Sequence, residues 1–116
     1  MAQGHEVYVV DNLSTGKIEN IAHHLGSERF RFVNETILDR GLMDRLVEAV
    51  DGVYHLAALV GVKYVVQNPL NGIYTNVTGT EVVLQAAFKH WKRAVIASSS
   101  EVYGKSDQVP LAEDGD

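Results

Sequence analysis

The sequence predicts an α/β fold, a parallel β-sheet with helices on both faces. Three observations carry this. Short apolar runs rich in β-branched residues recur along the 116 residues, helical patterns alternate with them, and each run stops at a cluster of small or polar residues. Strands that are apolar throughout belong to sheets covered on both sides. Ligands in such sheets bind at the carboxyl ends of the strands.

Residues 6–10 (EVYVV) read as the first strand, which stops at Asp11 and the turn-like Asn12-Leu13-Ser14-Thr15-Gly16. Residues 17–25 read as a short helix and residues 30–33 (FRFV) as the second strand. Residues 39–50 form a helix with Asp39 as its N-cap and Leu42, Leu46, Val47 and Val50 on one face. Residues 53–56 (VYHL) are the third strand, running into Ala57-Ala58. Asn68-Pro69 opens a long helix, because proline is tolerated in a first turn. Its apolar side comprises Ile73, Val77, Thr80, Leu84, Ala87, Phe88 and Trp91. Residues 94–97 (AVIA) are the fourth strand, followed by Ser98-Ser99-Ser100-Glu101-Val102-Tyr103-Gly104, and the polar remainder reads as loop.

Composition narrows the function. The 46% hydrophobic content supports a real core, and the formal net charge of −5 disfavours a nucleic-acid or anionic-membrane partner. The absence of cysteine excludes disulfides and thiolate metal sites, and no histidine pair has convincing metal spacing. No apolar run reaches the roughly 18 residues of a membrane span, and no signal peptide precedes the first strand, so the expected location is the cytoplasm.

The residues just after each strand are the candidate site. Asp11 can accept hydrogen bonds from both ribose hydroxyls of an adenosine and would repel a 2′-phosphate, which favours NAD over NADP. The plainer alternative is a solvated acid capping the next turn. Ala57 and Ala58 are small where the backbone should approach a ligand, or where helix and sheet pack tightly. His55, within its strand, reads as a hydrogen-bonded core histidine. Asn76 sits near the buried face of the long helix, and an unpaired buried amide costs roughly 1–3 kcal/mol. Gly79 weakens that helix by about 1 kcal/mol unless something packs closely there. Together they point to contact with backbone or cofactor; the plainer alternative is an exposed Asn and a tolerated Gly. Ser98, Ser99 and Ser100 can bond a substrate hydroxyl or a developing oxyanion, and Glu101 adds an acid–base group. The alternative is a serine-rich turn capping a short helix.

Four stretches, GHEVYVVDNLSTG, GVYHLAA, NP followed by TNVTGT, and IASSSEVYG, stand in an order and spacing that resemble one family. Residues 4–114 resemble the extended short-chain dehydrogenases/reductases that act as NAD-dependent nucleotide-sugar epimerases and dehydratases. The resemblance implies a Rossmann-like fold, NAD as cofactor and a nucleotide sugar as substrate. It implies that Asp11 binds the adenosine ribose with Asn12 and Ser14 beside it. Thr36 and Ile37 would flank the adenine, although family members often carry Asp where this chain has Thr36. Leu56, Ala57 and Ala58 would line the dinucleotide cleft, and Asn76 would support the nicotinamide side. Ser99 matches the catalytic Ser/Thr at the sugar's C4 oxygen. Ser100 and Glu101 resemble the pattern of UDP-glucuronate decarboxylases and GDP-mannose 4,6-dehydratases, whereas DNLSTG and HLAA look more like UDP-glucose 4-epimerases.

The resemblance also implies a first strand, a GxxGxxG turn and a helix before GHEV, and a Tyr-x-x-x-Lys pair and a sugar-binding domain further on. None of these occurs in the sequence. The expectation is a single partial domain over residues 1–116, an inactive fragment with weak or no NAD binding. The implied strand would run between the strands ending at Asp11 and Leu56. Without it, either those two pair directly or a second chain fills the space, and a homodimer is expected. A non-catalytic, self-associating assembly or binding module is the competing class. A response-regulator receiver is disfavoured, because its third strand should end in a phosphorylatable Asp and this one ends in His55-Leu56-Ala57-Ala58.

Overall fold

The computed structural model describes residues 3–61, 66–104 and 110–112. Most of the polar stretch expected to be loop after Gly104 lies outside them. The first strand, β1 (Val7–Val10), pairs in parallel with β2 (Phe30–Val33), Val7 opposite Phe30 and Val10 opposite Val33. Between them the helix expected over residues 17–25 is replaced by two 3₁₀ turns, Ile18–Asn20 and Ala22–His24. Ile18, Ile21 and His24 are half-buried and most of their neighbours exposed. That inward spacing of three is the 3₁₀ repeat rather than the α repeat.

Helix α1 (Arg40–Glu48) starts at the expected cap, Asp39, whose Oδ1 accepts from the Leu42 N–H at 2.9 Å. Its buried residues are Met43 and Val47, with Leu42, Leu46 and Val50 only half-buried. Strand β3 (Gly52–His55) pairs in parallel with β4 (Arg93–Ile96). The chain between them holds α2 (Pro69–Ile73), a π-helical turn (Tyr74–Thr78) and α3 (Gly79–Lys89).

Of the apolar side expected for this helical run, only Ala87 is buried and Thr80 half-buried. Gly72, Gly79, Val82, Val83, Ala86 and Ala87 face inward, while Ile73, Val77, Leu84, Phe88 and Trp91 are exposed. The buried stripe is made of small residues, so helix and neighbours approach closely. A simple hydrophobicity count favours the other, bulkier stripe. A π turn carries one more residue per turn, which also shifts the pattern along the run.

Ile37, Met43, Val47, Val82, Val83, Ala86 and Ala87 form the core, with Val10, Val53, Ala57 and Ala94 packed against it. Strands of both pairs therefore share one core, yet β1 and β3 are not hydrogen-bonded to each other. Direct pairing of the flanking strands, one of the two expected outcomes, does not occur. Val7 and Asp11 donate to Arg29 and Val33, so the main-chain groups of Tyr8 and Val10 face away from β2. The Ala97 N–H donates to His55 O, so those of Tyr54 face away from β4. The outer edges of β1 and β3, which would flank the implied strand, are thus unpaired among the described residues. The α/β class holds. Helices α1 and α3 pack on each other, and on β3 the Tyr54 side chain is 75% exposed and Leu56 is exposed beside it.

Helix α3 ends in a Schellman motif, with Trp91 donating to Phe88 O at 3.2 Å and Lys92 to Ala87 O at 2.8 Å. The left-handed position, normally glycine, is Trp91 at φ +55°. Among the described residues no helix is long and apolar enough to cross a membrane.

Candidate functional site

All the strand-end candidates follow a strand that pairs in parallel. Asp11 follows β1, Thr36 lies just beyond β2, Leu56 to Ala58 follow β3, and Ser99 to Glu101 lie just beyond β4. The Asp11 turn is the most shaped of these. Asp11 Oδ1 accepts from the Leu13 N–H at 2.7 Å, and Asn12 Oδ1 accepts from the Ser14 N–H at 3.1 Å. These bonds hold Leu13 at φ +55°, a conformation that leucine rarely adopts. Strain of this kind, held by neighbouring bonds, clusters at binding sites. A Cβ at Gly16 would lie 3.1 Å from Asp11 Oδ2, so the glycine keeps that oxygen uncrowded. Asp11 therefore caps its turn and keeps a second acceptor free to meet a vicinal diol. Leu13 was not legible as part of this site, because backbone strain has no side-chain signature.

Thr36 Oγ1 accepts from the Leu38 N–H at 3.2 Å. The Ile37 side chain is buried in the core, where it packs against Gly79, and is committed to packing. After β3, Leu56 is exposed and Ala57 packs on the core. Asn76 is exposed rather than near the buried face, yet it reaches this segment: its Nδ2 donates to Leu59 O at 3.0 Å and its Oδ1 accepts from the Leu59 N–H at 2.7 Å. The paired reading of Asn76 and Gly79 as contact points thus has a structural basis, with backbone on one side and Ile37 on the other. Ser99 caps the 3₁₀ turn Ser100–Tyr103, its Oγ accepting from the Glu101 N–H at 3.3 Å. The serines and Glu101 are exposed. Among the described residues no hydrogen bond joins this cluster to the Asp11 turn, and no group of three or more His, Asp or Glu could hold a metal.

A separate polar clasp joins α1 to α3. Asp44 accepts from Lys89 Nζ at 2.7 and 2.9 Å, and its Oδ1 lies 2.8 Å from His90 Nε2. Lys89 first, then His90, hold the Asp44 carboxyl below the usual carboxylate range. A depressed carboxylate pKa contributes stability above the unfolded value and loses it as pH falls through the folded one. Burial holds the His55 imidazole below its ordinary value, so its contribution is also present at neutral pH and fades on acidification. Urea midpoints are therefore expected to fall in two stages, below about pH 6.5 and again below about pH 4. Asp44→Asn should lessen the second stage. A midpoint that falls equally in that variant would sink the assignment.

The sequence model of the GDP-mannose 4,6 dehydratase family matches residues 1–116. The chain belongs to the NAD-dependent nucleotide-sugar epimerase/dehydratase family, of the short-chain dehydrogenase/reductase type. It is 41% identical over 114 residues to a UDP-N-acetyl-alpha-D-glucosaminuronate decarboxylase of Bacillus cytotoxicus, covering 98% of this chain and 35% of that relative. It resembles in fold a UDP-glucose-4-epimerase from Stenotrophomonas maltophila with bound NAD and formylated UDP-arabinopyranose. The TM-score is 0.83 at 32% identity, over 98% of this chain and 35% of that one. A dTDP-glucose 4,6-dehydratase from Streptomyces venezuelae with NAD bound matches with a TM-score of 0.83 at 36% identity, over 89% of this chain and 33% of that one. The chain thus spans about a third of the length of these relatives. NAD is the cofactor of this epimerase/dehydratase family. The open second oxygen of Asp11 beside Gly16 fits the adenosine end of that cofactor.

Proposed function

We propose that this chain forms the adenosine-facing part, and one hydroxyl-bearing strand end, of an enzyme that remodels nucleotide sugars. Asp11, with Asn12 and Ser14, holds the ribose of NAD, and Thr36 lies at the adenine with Ile37 behind it. Leu56, Ala57 and Ala58 border the dinucleotide, Asn76 braces that border, and Ser99 with Ser100 and Glu101 meets the sugar. The carrying observation is that the strand-end groups in this set all stand just past strands of two parallel pairs sharing one core. In the parent reaction, bound NAD supplies a transient oxidation at sugar C4. Decarboxylation of a UDP-hexuronate is the favoured branch, supported by the Ser100-Glu101-Val102-Tyr103-Gly104 stretch and by the similarity to the Bacillus decarboxylase. Epimerisation and 4,6-dehydration are its alternatives.

The 116-residue chain by itself is inactive on this reading, because it contains neither a GxxGxxG turn nor a Tyr-x-x-x-Lys pair. Purified chain should turn over none of UDP-glucuronate, UDP-glucose or GDP-mannose, and measurable turnover would refute the inactivity. NMR titration with NAD should shift the Leu13 and Ser14 amides first, and Asp11→Ala should abolish those shifts. Shifts that begin elsewhere, or that survive in the variant, would count against the ribose role.

Self-association is a second part of the proposal. On α3 the exposed Leu84 and Phe88 stand one turn apart, and just past the helix end the exposed Trp91 ring lies 5.8 Å from that of Phe88. Trp91 is 87% exposed in a strained backbone conformation where glycine would serve better. The exposed β3 face around Tyr54 adds apolar surface. Trp91→Gly is expected to raise monomer stability by about 1 kcal/mol. The same change with Phe88→Glu should abolish the rise of sedimentation mass with concentration. A wild-type chain whose mass stays monomeric at every concentration would exclude the homodimer.

A further inference from the structure

His55 is the one buried polar or charged side chain among the described residues, at 6% exposure. Its Nε2 lies 2.8 Å from Thr80 Oγ1. Thr80 Oγ1 in turn donates to the carbonyl of Asn76, one turn earlier, at 2.7 Å. A hydroxyl has one hydrogen, and here the Asn76 carbonyl, an acceptor only, takes it. Thr80 must then accept from histidine, so Nε2 carries the hydrogen and a neutral His55 leaves Nδ1 bare. The same helical turn makes a second connection, since the Asn76 amide binds both main-chain groups of Leu59. His55 and Leu59 flank Leu56, Ala57 and Ala58. That segment is therefore tied at its start through Thr80 and at its end through Asn76, and both ties converge on one stretch of helix. The stretch begins in the π turn Tyr74–Thr78, and π turns often mark functional sites.

We propose that His55 is a positioning residue: as its Nε2–H tautomer it anchors, through Thr80 and Asn76, the Leu56–Leu59 arch that borders the ligand crevice. The arch presents main chain to the ligand, so small displacements alter fit, and a buried hydrogen-bonded pair defines its position better than apolar packing would. The role of the arch at a dinucleotide rests on the function proposed above. The anchoring itself does not, and it is read without any ligand.

Nitrogen-15 NMR of the histidine rings in the full chain, at about pH 7.5 where the neutral imidazole dominates, should show His55 protonated at Nε2 and bare at Nδ1. Thr80→Val keeps the shape and removes the hydroxyl. It should raise the exchange rate of the Leu59 amide about tenfold, the scale of one hydrogen bond. Thr80→Ser should restore wild-type exchange, as should His55→Gln, which retains a donor at similar reach. His55→Phe should behave like Thr80→Val. An Nδ1–H tautomer in the wild-type chain would overturn the proposal even if every variant failed to fold. So would unchanged Leu59 exchange in a folded Thr80→Val. Loss of NAD-induced shifts with these readouts intact would sink only the dinucleotide reading.

Discussion

Replacing Gly79 by valine is expected to destabilise the chain by about 2–3 kcal/mol, the usual cost of overpacking a filled site. A Cβ built on Gly79 would lie 2.5 Å from Ile37 Cδ1 and 3.1 Å from Ile37 Cγ1. Ile37 is itself 8% exposed and packed in the core, so it has little room to withdraw. Alanine adds only the one methyl that meets the Cδ1 end of Ile37, and its helix preference over glycine of about 1 kcal/mol partly offsets that overlap, so Gly79→Ala should destabilise clearly less than valine. Valine adds two further methyls that no single rotation clears. Urea denaturation of the three proteins measures this directly. A valine variant as stable as the alanine one would mean that α3 does not approach Ile37 so closely. The consequence reaches the site, because Ile37 follows Thr36 directly at the end of β2.

The second large effect runs against residue size. Val83 is 1% exposed and Phe88 is 76% exposed on the same helix. Val83→Ala should cost about 2–3 kcal/mol through lost burial and the cavity left behind. Phe88→Ala, in dilute monomer, should change stability by less than about 0.5 kcal/mol, as surface changes do. A larger loss from the phenylalanine than from the valine would mean that α3 is turned the other way. The pair also separates folding from association, since Phe88 should matter mainly at high concentration.

Much of the fold was legible in local pattern. Phe30–Val33 is a strand over the residues expected, Asp39 caps α1 as its side chain predicts, and Pro69 opens a helix. These features depend on residues adjacent in the chain. The face of α3 did not follow from pattern, because hydrophobicity is scored by residue and ignores how closely two elements approach. Ile18, Ile21 and His24 carried a spacing of three that a helical reading absorbed. At the site, the strand ends pointed to Asp11 and the serines, and the long helix pointed to Asn76. They could not point to Leu13, whose strain is a backbone property, or to Thr80 and Leu59, whose partners are distant in sequence. The spacing of Asn76 and Thr80, one helical turn apart, was the available clue.

The sequence by itself determined the α/β class, the family, and which polar residues follow each strand. Each of these depends on the order of residue types along the chain. Tertiary structure alone decided that β1 and β3 share a core without pairing, that small rather than large residues of α3 face inward, and that His55 and Leu59 are tied to one helical turn. Those outcomes depend on distances between segments remote in sequence, where packing and hydrogen-bond geometry choose among arrangements that the local pattern permits equally.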